Sequence, residues 1–311
     1  MRKIIGTARR GQLLYNFGPG AILDFRTSEG ASISVLNGSL DRWDEFLKNT
    51  KVLQSLKISE ARLQKKLSVN YFVTPPVNSE DAQEGESSHF HGELVGVRFP
   101  KYLQCPKCNE VKMQNNWERG DFGDASRWCG NCSSSDKKYY AIPTRFIVAC
   151  TEGHIDEFPW DMFYFDIKHT GADCKTKRRY SVEQKSTIGI SGVRMRCLSC
   201  NGTKSFENIF SKDFSSQLVC SGKHYWKDSR VVEECKTKPR VLQRGASNAY
   251  FPCTVSVISI PPFNYQFSQI IEGNLLYVLM TKEDSHERLE LLKSFKEAGQ
   301  IRGTKSIEEI N

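Results

Sequence analysis

The 311-residue sequence has no apolar run long enough to span a bilayer, and its opening, Met1-Arg2-Lys3-Ile4-Ile5-Gly6, lacks the apolar core of a secretory signal. These absences argue against a membrane-spanning helix and place the chain, by expectation, in the reducing cytoplasm. It also lacks a nucleotide-binding fingerprint. Gly18-Pro19-Gly20 is followed by no Lys-Ser or Lys-Thr, and its spacing fits neither the phosphate-loop nor the dinucleotide pattern, so the stretch predicts a structural turn before a strand. Histidine is scarce, six in all, and none forms the His-Glu-x-x-His pair of a zinc hydrolase helix.

Cysteine is plentiful. Eleven cysteines in a small secreted protein would suggest disulfides; in a cytosolic chain of this size they point to metal. The sharpest signal is Cys105-Pro106-Lys107-Cys108, twenty intervening residues, then Cys129-Gly130-Asn131-Cys132. Two pairs of thiolates, each two residues apart, can close a tetrahedron on one soft divalent ion, with zinc the usual occupant. A second set, Cys197, Cys200, Cys220 and Cys235, contains one such pair and predicts a second zinc site. Cys150, Cys174 and Cys253 remain; the first two could complete a site with His154 or be small buried hydrophobes.

Hydrophobic residues make up 39% and charged residues 26%, the balance of a globular protein, and the net charge is +8. The excess is local. Residues 101–263 carry 25 Lys and Arg against 17 Asp and Glu, while the segments on either side are near balance or acidic. Each four-thiolate zinc site contributes about −2, so two would reduce the overall excess to about +4. Lys175, Lys177, Arg178 and Arg179 form the densest basic run, with Arg194, Arg196, Lys236, Lys238, Arg240 and Arg244 as further candidates for phosphate-backbone contact. The other reading is a solvated charged face.

Along the chain, residues 9–25 read as a short apolar element, a turn and a strand. Trp43, Phe46, Leu47, Val52, Leu53 and Leu56 carry a helical period from Asp41, and Ile58–Leu67 reads as a second short helix. Residues 75–88 are acidic and rich in turn formers, which predicts a mobile loop, and His89 and His91 beside it are read as bland. Leu94–Phe99, Tyr139–Ala149, Ile188–Met195 and Val255–Ile260 read as strands, and 270–280 and 285–298 as helices. Trp117, Phe122 and Trp128 could stack on bases, but a small metal-stapled module has few other apolar groups, so roofing its core is the favoured reading. Cys150, His154, Asp156 and Glu157 are the nearest approach to an active site, a thiol, an imidazole and two carboxylates within eight residues. A structural role, with Trp160 in the core, is preferred there.

The sum is an α+β protein, irregular and zinc-stapled, with zinc-ribbon-like modules, short antiparallel strands and a few helices. Its expected parts are an N-terminal region 1–100, a zinc-ribbon module 101–140, a second zinc-binding region 141–263 and a helical segment 264–311.

Four motifs together resemble a known family. They are Arg10-Gly11-Gln12-Leu13 with Phe17-Gly18-Pro19-Gly20-Ala21, Arg98-Phe99-Pro100 before Cys-Pro-x-Cys, Ala149-Cys150-x-x-Gly153-His154-Ile155-Asp156-x-Phe158-Pro159-Trp160, and Gln243-Arg244-Gly245-Ala246-Ser247-Asn248-x-Tyr250-Phe251-Pro252. Over residues 8–262 the chain is similar to the DrmB family of the DISARM anti-phage defence system. The resemblance implies a non-catalytic zinc-binding partner of a DrmA-like ATP-dependent helicase that engages DNA, with catalysis in the helicase. DrmB chains usually continue beyond the last motif, so the expectation is a shortened relative or a second chain supplying the C-terminal half. The competing readings are a metal-dependent hydrolase centred on Cys150, His154, Asp156 and Glu157, and a protein-interaction adaptor without DNA contact.

Overall fold

A computed structural model describes residues 5–38, 56–74, 95–185, 189–227, 232–250 and 252–258, with a few isolated positions between 48 and 54 and between 289 and 294. Most of the helix expected from Asp41, the acidic loop 75–88, His89 and His91, and most of the two C-terminal helices lie outside the described residues. The fold is α+β, with short antiparallel strands and few helices. Two compact units divide the chain: Met1–Ser55 with Pro75–Thr254, and Leu56–Thr74 with Val255–Asn311.

In chain order, α1 (Arg10–Tyr15) and the Gly18-Pro19-Gly20 turn lead into β1 (Ile22–Arg26) and β2 (Ser32–Asn37). Gly20 has φ +86°, and a side chain there would press on Trp226, so the turn needs glycine. In the second unit, β3 (Lys57–Ile58), α2 (Ala61–Leu67) and β4 (Phe72–Val73) form a small hairpin around a helix. The chain then supplies β5 (Gly96–Arg98), β6 (Tyr102–Gln104), β7 (Glu110–Met113), β8 (Glu118–Arg119), β9 (Arg127–Trp128), β10 (Ile142–Pro143), β11 (Phe146–Ala149), β12 (Ile155–Glu157) and α3 (Trp160–Phe165). Finally come β13 (Tyr180–Gln184), β14 (Val193–Cys197), β15 (Thr203–Ser205), α4 (Lys212–Ser216) and β16 (Arg240–Gln243).

A six-stranded sheet, in the order β10-β6-β7-β13-β14-β15, is the frame of the first unit; β12-β11-β16 and β1-β2-β5 make two smaller sheets. The strand expected over 139–149 divides between two of these. Pro143 ends β10, the Thr144 N–H still donates to the Tyr102 carbonyl at 3.1 Å, the chain bends at Arg145, and β11 starts a new sheet at Phe146. The strand expected over Ile188–Met195 begins only at Val193, after a single 3-10 turn at Ile190–Gly192. Residues 252–258 form no strand.

Alternation along β13 and β14 explains the main core. Tyr180 and Val182 face one way with Val193, Met195 and Cys197, while Glu183, Arg194 and Arg196 face the other. Against the apolar face packs an aromatic cluster of Phe146, Phe158, Trp160, Phe163 and Phe206, with ring centroids 4.5 to 6.4 Å apart. Trp160 is thus in the core, as the sequence reading had it. A separate cluster of only five buried residues, Leu103, Cys105, Trp117, Cys129 and Ala141, lies under the first cysteine pairs. Trp117 is its roof, with its indole N–H donating to the Lys112 carbonyl, whereas Phe122 is 99% exposed.

Candidate metal centres

The turn between β6 and β7 carries Cys105 to Asn109, and the turn between β14 and β15 carries Cys197 to Asn201. The two turns are built alike. In each the asparagine after the second cysteine adopts φ +59° and its N–H returns to the carbonyl of the first cysteine at 3.0 Å. In the first turn the backbone N–H groups of Lys107 and Cys108 also point at Cys105 Sγ, 3.3 and 3.5 Å away, and would stabilise a thiolate. Because β6 and β14 run antiparallel, the two turns face opposite ways along the sheet.

Among the described residues three groups of four Cys and His side chains bring their ligand atoms within 4.8 Å of one another and could hold a metal ion. The first is Cys105, Cys108, Cys129 and Cys132, as the spacing predicts. The expected second set does not converge. Cys197 and Cys200 meet His169 and Cys174, whereas Cys220 and Cys235 meet Cys150 and His154, at the β11–β12 turn. Cys253 is exposed and belongs to none of the three. Cys150 and Cys174 therefore each sit in a different group, and the histidine of one, His169, carried no signal in the sequence reading.

The distances fit tetrahedral coordination. Metal–sulfur bonds of about 2.3 Å give sulfur–sulfur edges of about 3.8 Å and sulfur–nitrogen edges of about 3.5 Å, whereas a disulfide needs about 2.05 Å. The observed edges are 3.9 Å for Cys108–Cys129, 3.7 Å for Cys174–Cys197 and 3.7 Å for Cys150–Cys220, with 3.5 Å from Cys200 Sγ to His169 Nδ1. His169 turns its other nitrogen, Nε2, to the Tyr164 carbonyl at 3.0 Å, which fixes the ring and leaves Nδ1 free to bind a metal.

Burial and backbone hydrogen bonds split the acidities of the thiols. Burial pushes Cys132 up to about 12, Cys174 to about 11 and Cys220 to about 12. Cys200 is drawn down to about 5 by the backbone N–H of Thr170, then by His169, and Cys235 to about 7 by the backbone N–H of Thr237. A divalent ion would remove the mutual repulsion and let all four ligands of a group bind deprotonated. Four protein donors leave no open position for water or substrate, the arrangement of a structural rather than a catalytic zinc site.

The two carboxylates of the Ala149–Trp160 motif are occupied otherwise. Asp156 Oδ1 accepts from the Tyr225 hydroxyl at 2.7 Å, and Glu157 accepts from the Lys101 N–H. Glu157 Oε2 is enclosed without a partner, and burial raises this carboxyl from 4.5 to about 7. The folded state therefore holds its proton where the unfolded chain has lost it, so stability falls as pH rises from about 4.5 to about 7 and stays lowered above that. Glu157→Gln should stabilise the protein by on the order of 2 kcal/mol at pH 8 and by almost nothing at pH 4, measured by urea unfolding. An equal effect at both pH values would contradict the burial argument.

The predicted basic contacts fall into two classes. Arg178 pairs with Asp161 at 2.8 Å, Arg179 with the buried Glu110 at 3.0 Å, Arg196 with Glu183 at 3.6 Å, and Arg244 with Asp24. Lys236 lies 3.9 Å from Glu234, and Lys238 donates to the Leu218 carbonyl. Lys175, Lys177, Arg194 and Arg240 are exposed and make no side-chain hydrogen bond or ion pair among the described residues.

Comparison with known proteins agrees with the motif resemblance. A family described as a domain of unknown function (DUF8724) matches residues 9–251. The chain is 31% identical over 208 residues to the DISARM protein DrmB of Bacillus paralicheniformis, covering 66% of this chain and 33% of that protein. It thus spans about a third of the length of the curated relative it matches. No helix among the described residues is long and apolar enough to cross a membrane.

Proposed function

The chain belongs to the DUF8724 family, and on that premise we propose that it is a non-catalytic, zinc-binding component of a bacterial anti-phage defence complex that assists an ATP-dependent, DrmA-like helicase on DNA. The observation that carries the reading is the similarity to DrmB over 208 residues, beside a family match over residues 9–251 that takes in all three cysteine groups. Zinc at Cys105, Cys108, Cys129 and Cys132, and at His169, Cys174, Cys197 and Cys200, staples the two turns of the large sheet. Sulfur-rich four-ligand sets select zinc over magnesium or calcium, and with no open position their role is to shape a surface. Of the predicted contacts, Lys175, Lys177, Arg194 and Arg240 are left unpaired among the described residues for a phosphate backbone.

Purification of the full chain with the helicase encoded beside it tests the reading. The two proteins should co-elute with at least two zinc ions per copy of this chain, and the complex should bind DNA more tightly than the helicase alone. A helicase that elutes by itself with unchanged DNA affinity would overturn it. The ion pairs of Arg178, Arg179, Arg196 and Arg244 favour a second reading, a protein-interaction adaptor. Co-elution without salt-sensitive DNA binding by the isolated chain selects that one.

A further inference from the structure

We propose that Cys150, His154, Cys220 and Cys235 form a third zinc centre whose imidazole ligand is oriented by Glu233. The proposal rests on the zinc reading of the other two groups but extends it to residues that no pair spacing links. Cys150 directly follows β11 and His154 precedes β12. Between them the chain reverses through Gly153 at φ +84°, with Cys150 N–H donating to the His154 carbonyl at 3.0 Å. This tight turn brings Cys150 Sγ within 3.3 Å of His154 Nδ1. Cys220 Sγ stands 3.7 Å from Cys150 Sγ, the edge expected of a zinc tetrahedron, and Cys235 completes the group.

His154 is 4% exposed, so its second nitrogen needs a partner. Nε2 lies 3.3 Å from Glu233 Oε2. If Nε2 carries the proton and donates it to that carboxylate, the lone pair sits on Nδ1 and faces the three thiols, as the Tyr164 carbonyl arranges for His169. Two histidines with the same ligating nitrogen, each held by an acceptor on the other, are more than chance crowding would supply. The other Glu233 oxygen reaches His224 Nε2 at 3.2 Å and Lys227 at 3.8 Å, which anchors the carboxylate from its far side.

The backbone places Glu233 as deliberately as the ligands. Its N–H donates to the Gly222 carbonyl at 3.0 Å, and Gly222 has φ +64° where a Cβ would stand only 1.7 Å from the Glu233 carbonyl oxygen. Only glycine permits that approach. One close backbone crossing therefore sets Cys220 on one side and Glu233 and Cys235 on the other around the same point. The consequence is a staple between the β11–β12 turn and the segment running from Cys220 to Cys235.

The test uses the full chain, with zinc itself as the probe, counted by elemental analysis and challenged with a chromophoric chelator. The wild type should hold three zinc ions and Cys220→Ser two. Glu233→Ala should weaken one of the three by about 10- to 100-fold and leave the other two unchanged. Glu233→Gln should recover most of that loss, because its amide oxygen still accepts from Nε2. Cobalt substitution should report one four-sulfur and two three-sulfur, one-nitrogen centres, and circular dichroism with retention of the other two ions controls for folding. Two ions in the wild type would overturn the third centre alone, and none would overturn the zinc reading as a whole. Three ions with unchanged affinity in Glu233→Ala would overturn the positioning role.

Discussion

Cys105→Ser should leave the protein one zinc ion short and unfold residues 101–140. Cys105 is fully buried and, with Cys129, supplies two of the five residues in the small core under the first knuckle. Leu103, Trp117 and Ala141 cannot by themselves offset the chain entropy of some forty residues, so under the zinc proposal the ion carries the module. Structural zinc in isolated finger peptides contributes about 10 to 16 kcal/mol at neutral pH, more than the whole stability of an ordinary domain. A serine at this position cannot replace a soft thiolate, and without the ion Cys108, Cys129 and Cys132 crowd one another with no cation between them. Bound zinc, tryptophan fluorescence and limited proteolysis should report the change together: one ion lost, Trp117 exposed, and new cleavage between 101 and 140. Because β6 and β7 belong to the six-stranded sheet, the melting temperature of the remainder should fall as well. Full zinc occupancy with an unchanged melting curve would refute the structural role.

What made this module legible is that its chemistry is local. Cys-x-x-Cys places two sulfurs on one tight turn whatever the rest of the chain does, so the pair can be read without knowing the fold. The Cys197–Cys200 turn was legible for the same reason, but its partners were not. β13 hydrogen-bonds to both β7 and β14, so the chain leading into it lies beside the knuckle that ends β14, and Cys174 and His169 come along. That adjacency belongs to the sheet topology and leaves no mark on spacing. Cys220 and Cys235, the next two cysteines along the chain, are drawn instead to the β11–β12 turn. A usable signal was present in the left-handed asparagines: Cys-x-x-Cys-Asn occurs at 105–109 and again at 197–201, and marks two equivalent turns, each needing its own two further ligands. Counted that way, eleven cysteines and two buried or half-buried histidines suffice for three groups of four with one cysteine left over, Cys253.

The same limit governs the basic residues, since charge is written in the sequence but pairing is not. Arg179 is part of the densest basic run, yet it spends its guanidinium on Glu110, a carboxylate 2% exposed that also binds Lys112 at 3.0 Å. Reversing Arg179 would set a second carboxylate against a buried one and damage the fold, so a loss of DNA binding there would say nothing about contact. The informative change is charge reversal at Lys175, Lys177, Arg194 and Arg240, which break no ion pair among the described residues. If each neutralises one phosphate in the helicase complex, the quadruple variant should flatten the slope of log K against log salt by about 0.9 per contact, or by about 3.6 in all. The loss should be largest in low salt and nearly independent of DNA sequence, because backbone contacts carry no base information. Zinc content and melting temperature should stay those of the wild type, which separates this result from unfolding. Unchanged affinity and slope in a well-folded variant would remove DNA from the proposal and leave the chain a zinc-stapled adaptor that meets the helicase alone.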